Sequence, residues 1–268
     1  MHRRDTILTT KVKPFRSFLH APSVSLFRLI SHNQSTGALS PTSSRCTVSE
    51  KMLHPVPGAP EELVAFSALQ ERLADAYKDV AQDPRAEHTV LVVPSLSLDA
   101  RELTKISGVH HYEERLLFML MLLRRPRTRM IFVTSQAIHP TVIDYYLHLL
   151  SGVPTSHARR RLRLLDCADA SAEPLSAKIL SRPRLVAKIR RALAATRTSH
   201  MVCFNSSPIE RTLAVQLDVP LYANDPSLLD LGTKSGCRET FRAAGVKMPD
   251  GFERLRDEVD VIEALSTL

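Results

Sequence analysis

Apolar positions along this chain switch between two spacings, and the switching predicts its architecture. Over residues 61–80, Leu63, Phe66, Leu69, Leu73, Ala76 and Tyr77 recur every three to four positions, an amphipathic helix entered through a Pro-Gly-Ala-Pro turn. His88 to Val93 is a β-branched run stopped by Pro94, read as a buried strand that opens into a loop at 95–99. Residues 110–124 return to helical spacing, with Tyr112, Leu116, Leu117, Met119 and Leu120 on a broad apolar face. A second strand is predicted over 129–134, then a helix that Pro140 opens at a permitted first-turn position and Gly152 closes. A short strand at 162–165, a basic helix at 183–195, a strand at 200–204 and a helix at 209–217 behind Ser207-Pro208 complete the pattern. Short strands alternating with helices argue for an α/β fold, a mainly parallel, Rossmann-like open sheet with helices on both faces.

Composition narrows the class. The chain has 268 residues, enough for one large domain or two modest ones, and its 44% hydrophobic content is that of an ordinary globular protein. Its 36 basic and 28 acidic residues leave a formal charge of +8. That excess alone would suit nucleic acid or anionic lipid. Many of the arginines, however, fall on amphipathic helices and in the N-terminal region. Aromatics are only 5% of the chain and tryptophan is absent, so a base-stacking surface is disfavoured. The four cysteines, Cys46, Cys167, Cys203 and Cys237, form no CxxC pair and no cluster at zinc spacing, which predicts neither a metal site nor a disulfide framework. Their scatter suits a reducing, cytoplasmic compartment. The longest apolar run, 116–123, is too short to span a bilayer. Residues 1–55 are basic, Ser/Thr-rich and poor in acids, which fits an organelle presequence, mitochondrial or other, as well as a disordered or spurious leader.

In an open parallel sheet, ligands gather beyond the C-terminal ends of the strands. Three predicted strand ends carry polar groups there: Ser95 and Ser97; Thr134, Ser135 and Gln136; Asn205 and Ser207. They read either as hydrogen-bonding groups for an anion or a substrate carboxylate, or as helix caps and turn residues. No dinucleotide fingerprint or phosphate-cradling glycine loop is present. Glu113 and Glu114 are adjacent and diverge on a helix, so they make no paired-carboxylate site, and His110-His111 reads as a surface or capping pair. Glu210-Arg211 reads as a solvated helix face, Cys203 as a buried inert thiol, and Cys237 as the cysteine with the most basic surroundings. No nucleophile motif is found, so no catalytic residue is assigned. Lys234 follows a glycine turn at the start of a helix over 235–244, where it would either meet a phosphate or simply face solvent.

Lys234, Arg238, Phe241, Ala244-Gly245-Val246, Pro249 and Gly251 resemble the lysine motif at the entry to the core of ATP-grasp carboxylate–amine ligases. Further blocks upstream, among them 93–98, 112–115, 133–136, 144–147, 176–180 and 221–226, are similar to the pre-ATP-grasp domain of peptide-ligase-like members. The resemblance covers roughly 88–268 and implies a pre-ATP-grasp domain over 56–228, followed at 229–268 by a short helical segment that begins an incomplete ATP-grasp domain. It implies ATP and Mg²⁺ as cofactors of the full-length family, a small carboxylate and an amine as substrates, and an acylphosphate intermediate. Lys234 and Arg238 become the nucleotide-proximal residues. The adenine hinge, the glycine loop and the metal carboxylates of that family match nothing after Gly251, and the acids at 257–263 look like its linker helix. The expectation is therefore a chain cut short of its core, inactive and without tight ATP binding alone, whose partner is that core or a homologous subunit; a homo-oligomer is left open. The competing readings are a non-catalytic α/β interaction module and, third, a basic nucleic-acid binder.

Overall fold

The computed structural model describes residues 54–83 and 85–267; the leader expected over 1–55 falls, but for its last two residues, outside them. Four strands form one wholly parallel sheet in the order β3-β2-β1-β4. They are β1 (His88–Val93), β2 (Thr128–Thr134), β3 (Leu162–Asp166) and β4 (Thr198–Cys203). Helix α1 (Pro60–Gln82) precedes the sheet. A short α2 (Ala100–Leu103) and a 3₁₀ helix (Val109–Arg124) connect β1 to β2. Helices α3 (Pro140–His148) and α4 (Thr155–Arg161) connect β2 to β3, and α5 (Leu175–Leu180) and α6 (Pro183–Leu193) connect β3 to β4. After β4 come α7 (Pro208–Leu217), a short 3₁₀ helix (Pro226–Gly232), α8 (Lys234–Ala243) and α9 (Glu258–Thr267).

The two-residue period of the strands divides the core into two layers. Leu91, Val93, Ile131, Val133 and Met201 point to one face, where Phe66 of α1 and the apolar sides of α5, α6 and α7 cover them. Val90, Val92, Met130, Phe132 and Val202 point to the other, under the long 3₁₀ helix, α3 and α4. Because helices cover both faces, the central strands read as near-continuous apolar runs. The helix expected at 110–124 is there but is wound at three residues per turn for 16 residues, far longer than such helices usually run. That winding stacks Leu117, Leu120 and Leu123 in one buried column and Glu113 and Leu116 in the next.

Helices α4 and α5 lie where no periodicity was read. Charged α4 buries only Ala158 and is fastened by Arg161, which donates to the carbonyls of Leu123, Arg125 and Thr128, while six-residue α5 is too short for a helical period to show. The expected solvated face at Glu210-Arg211 is overturned. Both side chains are buried, because α7 is covered on one side by α1 and on the other by the loop after β1. Arg211 pairs with Glu62 of α1 across 3.2 Å, out of solvent.

Beyond Pro226 the packing thins. Large apolar side chains, including Leu228, Leu229, Leu231, Phe241, Val246, Val259, Ile262 and Leu265, are exposed. Gly236 sits where the first turn of α8 meets the preceding 3₁₀ helix. A Cβ there would stand 2.8 Å from the Asp230 carbonyl carbon, so the contact requires glycine.

Candidate functional site

The strand order gives the site its place. From β1 the chain moves outward through β2 to β3, then crosses back to lay β4 on the other side of β1. The loops after β1 and β4 therefore leave in opposite directions, and the gap between them is the switch point where open α/β sheets hold ligands. Ser95, Ser97, Asn205 and Ser207 all lie there.

The protein fills this gap with its own hydrogen bonds. Asn205 clasps the backbone of Ser97, its Oδ1 accepting from the Ser97 N–H at 2.9 Å and its Nδ2 donating to the Ser97 carbonyl at 3.1 Å. The Ser97 hydroxyl donates to Glu210 Oε1 at 2.5 Å and lies 2.8 Å from the Ser95 hydroxyl. Glu210 Oε2 takes the Ser207 N–H at 3.0 Å and the Ser207 hydroxyl at 2.5 Å. One fully buried carboxylate thus gathers the ends of β1 and β4 and starts α7. The Ser95 hydroxyl also accepts from the backbone N–H of Ser176 in α5 at 3.1 Å. The Ser176 hydroxyl is the one group of this network left buried without a partner among the described residues.

A second network stands behind β2. Ser135 is fully buried; its N–H and its hydroxyl each donate to Glu113 at 2.5 Å. Lys178 of α5 points its ammonium at the Ser135 hydroxyl at 2.8 Å and at the carbonyls of Asp169 and Ser171 at 3.0 and 2.8 Å, so all three donors are used. Burial pushes the Glu113 carboxyl above the usual range; the Ser135 donors and the Lys178 charge oppose this without cancelling it. Asp169 is held well below the ordinary value by hydrogen bonds from Ser171 and Arg182. Although a serine next to a lysine can serve as a nucleophile, this one is sealed from solvent and its lysine is a saturated ammonium. The group ties β2, the 3₁₀ helix and α5 together.

Thr134 and Gln136 differ, because they face an opening. With His110, His111 and Glu114 they line a cleft of about 350 Å³ at the C-terminal end of β2. The Thr134 hydroxyl donates to the Gln136 carbonyl at 2.7 Å, a turn contact. His111 meets Glu114 at 2.9 Å, and burial lowers the pKa of His110. These groups could hydrogen-bond a small polar ligand such as a carboxylate.

Lys234 and Arg238 lie apart from these networks, on α8. Lys234 is exposed in the first turn and makes no hydrogen bond or ion pair among the described residues. Arg238 is engaged: its guanidinium meets Glu253 at 2.6 Å and the carbonyls of Pro249 and Gly251 at 3.0 and 3.2 Å, which pins the segment after α8. Cys237 donates to the Leu231 carbonyl at 3.2 Å, and Cys203 is half-buried with its thiol pushed up to about 12, chiefly by burial. Among the described residues no cluster of three His, Cys, Asp or Glu could hold a metal ion, and no helix is long and apolar enough to cross a membrane.

Glu113, Lys178 and Glu210 organise these networks, and the sequence reading makes none of them a site residue: Glu113 reads as half of a diverging pair and Glu210 as a solvated face. Two carried a signal. Ser207-Pro208-Ile209-Glu210 has the Ser-x-x-Glu spacing of a capping box. Glu113 stands three and four residues before Leu116 and Leu117, inside the apolar stripe. Lys178 carried none.

The chain is similar to a ligase. It is 32% identical over 202 residues, 74% of its length, to L-propargylglycine–L-glutamate ligase of Streptantibioticus cattleyicolor, of which this stretch makes up 42%. It is 25% identical over 206 residues, 71% of its length, to IQ motif-containing protein H of Danio rerio, of which it covers 19%. The chain thus spans less than half the length of the curated relatives it matches. No family model matches it, and no solved structure does.

Proposed function

We propose that this chain supplies the α/β domain and first helices of an ATP-dependent carboxylate–amine ligase of the ATP-grasp type. The observation that carries the reading is the 32% identity to a ligase across 74% of the chain, over a parallel sheet of the kind expected to precede such a core. Lys234 fits the role of a phosphate-facing lysine, being exposed at a helix start. The exposed apolar residues beyond Pro226 fit a surface that further protein covers. ATP would supply the phosphoryl group that activates a carboxylate, and Mg²⁺ would neutralise its charge; the chain's own contribution is to hold Lys234 and to present the polar cleft at the end of β2. Arg238 acts as a clamp on the segment at 249–253 that leads out of the motif.

On this reading residues 1–268 alone bind MgATP no tighter than about millimolar, because the metal carboxylates and the adenine site come from the core. Calorimetric titration of the chain with MgATP tests this, and a micromolar constant overturns it. The ligase reading is tested by grafting 56–268 onto the ATP-grasp core of the Streptantibioticus enzyme and measuring ADP release with amino acids as carboxylate and amine. Turnover that Lys234→Ala reduces supports it. A folded graft that releases no ADP where the parent enzyme does sinks it.

A second reading, a non-catalytic interaction module, is favoured by the similarity to a protein whose name records a motif rather than a reaction. A graft that folds, binds no nucleotide and retains a protein partner through the surface beyond Pro226 would select it.

A further inference from the structure

Away from these networks, α1, the long 3₁₀ helix, the first half of β1 and the His200 and Val202 positions of β4 surround a cavity of about 340 Å³. Its walls are apolar, with Ala76, Val80, Met119 and Leu122 among them. That volume lies at the small end of the range for ligand pockets, and apolar walls with few converging polar groups are their usual composition.

The polar feature is a histidine pair. His88 Nε2 and His200 Nδ1 are 2.6 Å apart, so a single proton lies between them. Hydrogen bonding fixes which ring owns it. The Thr198 hydroxyl donates its only hydrogen to the Glu87 carbonyl at 3.0 Å, so it accepts from His88 Nδ1 at 2.9 Å. A neutral His88 protonated on Nδ1 offers a bare Nε2, which accepts from His200 Nδ1–H. A neutral His200 then presents Nε2 as a lone-pair acceptor, and this atom has no partner among the described residues. Both rings stay neutral because burial lowers them, His88 to about 4 and His200 to about 3. Tyr77 and Tyr222 meet at the mouth with their rings tilted by 36° and centroids 5.1 Å apart, and the Tyr77 ring lies 5.4 Å from His200. Arg125, tied to the Val80 carbonyl at 2.9 Å, adds positive charge at the rim and disfavours a cation.

We infer that this cavity binds a compact, neutral aromatic molecule carrying one hydrogen-bond donor, of the indole or phenol class, with the donor on His200 Nε2 and the ring between the tyrosines and the apolar walls. The chemistry selects a donor, since an acceptor would face a lone pair. It selects an aromatic ring, because the mouth offers two π faces. The site is independent of the ligase reading.

Indole is the probe, and benzothiophene, the same shape without the N–H, is the control. Both are titrated into the full chain labelled with ¹⁵N-histidine. Indole should bind saturably, about tenfold tighter than benzothiophene, and move the His200 Nε2 resonance. His200→Phe should abolish the preference for indole. Met119→Trp, which fills the cavity from the opposite wall and leaves the histidines in place, should abolish binding of both. Equal affinity for the two probes, or no saturable shift at His200 in the wild-type chain, overturns the assignment.

Discussion

Lys178 shows what a single charge does when buried. Its ammonium spends three donors on the Ser135 hydroxyl and two loop carbonyls, while Glu113 receives the Ser135 hydrogen from the other side. The two charges communicate through one hydroxyl, and each makes the other tolerable in a low-dielectric setting. Lys178→Met removes the cation and leaves the carboxylate uncompensated, and should lower unfolding free energy by about 3–5 kcal/mol in urea titrations. Adding Glu113→Gln removes the stranded charge. The double variant should therefore fall short of the summed single losses by about 1–3 kcal/mol, and strict additivity would show that the two groups do not interact. Sequence could place Glu113 in an apolar stripe but could not say what neutralises it, because Lys178 lies far along the chain on a helix with no readable period.

Between elements, the fold depends on short connections made by few atoms. Glu210 fastens α7 to the loop after β1, Asn205 clasps that same loop, and the Glu62–Arg211 pair fastens α7 to α1. Gly236 does the corresponding work for α8. Its missing side chain lets the helix start close on the Asp230 carbonyl, and backbone blocks any substituent, so no flexible side chain can give way. Gly236→Ala should therefore strip hydrogen-exchange protection from amides 226–245 and leave β1 and β2 protected; unchanged protection in α8 would refute this. The central strands β1 and β2 were legible because β-branched residues buried on both faces leave an unbroken apolar run, and α1, α3 and α6 because each has one wet face. Short α4 and α5 were not, having too few residues to show a period. The three-per-turn winding of 109–124 was hidden for another reason: a stripe at i and i+3 fits both helix types. Of the candidate site, the strand-end residues were legible from the rule that ligands collect there. Their mutual clasping was not, because it depends on which loops the strand order brings together.

Taken whole, the molecule should respond to acid through its histidine pair. His88 and His200 bind protons less readily in the folded state than in the unfolded chain, where each titrates near 6.5. Between that value and about 4 to 3 the unfolded state holds more protons, so stability is full above the unfolded value and is lost as pH falls through this window. Facing the pair are Tyr77, Tyr222 and Arg125, and burial moves the Tyr77 hydroxyl further above this window. Unfolding free energy measured from pH 7 to 4 should decline less in His200→Phe than in the wild-type chain, and parallel curves would assign the acid sensitivity elsewhere. The pairing was beyond sequence reading, since His88 and His200 are 112 residues apart and meet only because β4 lies beside β1. That same neighbour relation governs how the chain is born. The strand at the middle of the sheet emerges from the ribosome first, yet its second edge waits through β2, β3 and a full crossover before β4 exists to cover it. The seam at the centre of this sheet is thus the last of its three strand pairings to close during synthesis, and for that interval fully buried β1 is the strand most in need of a chaperone.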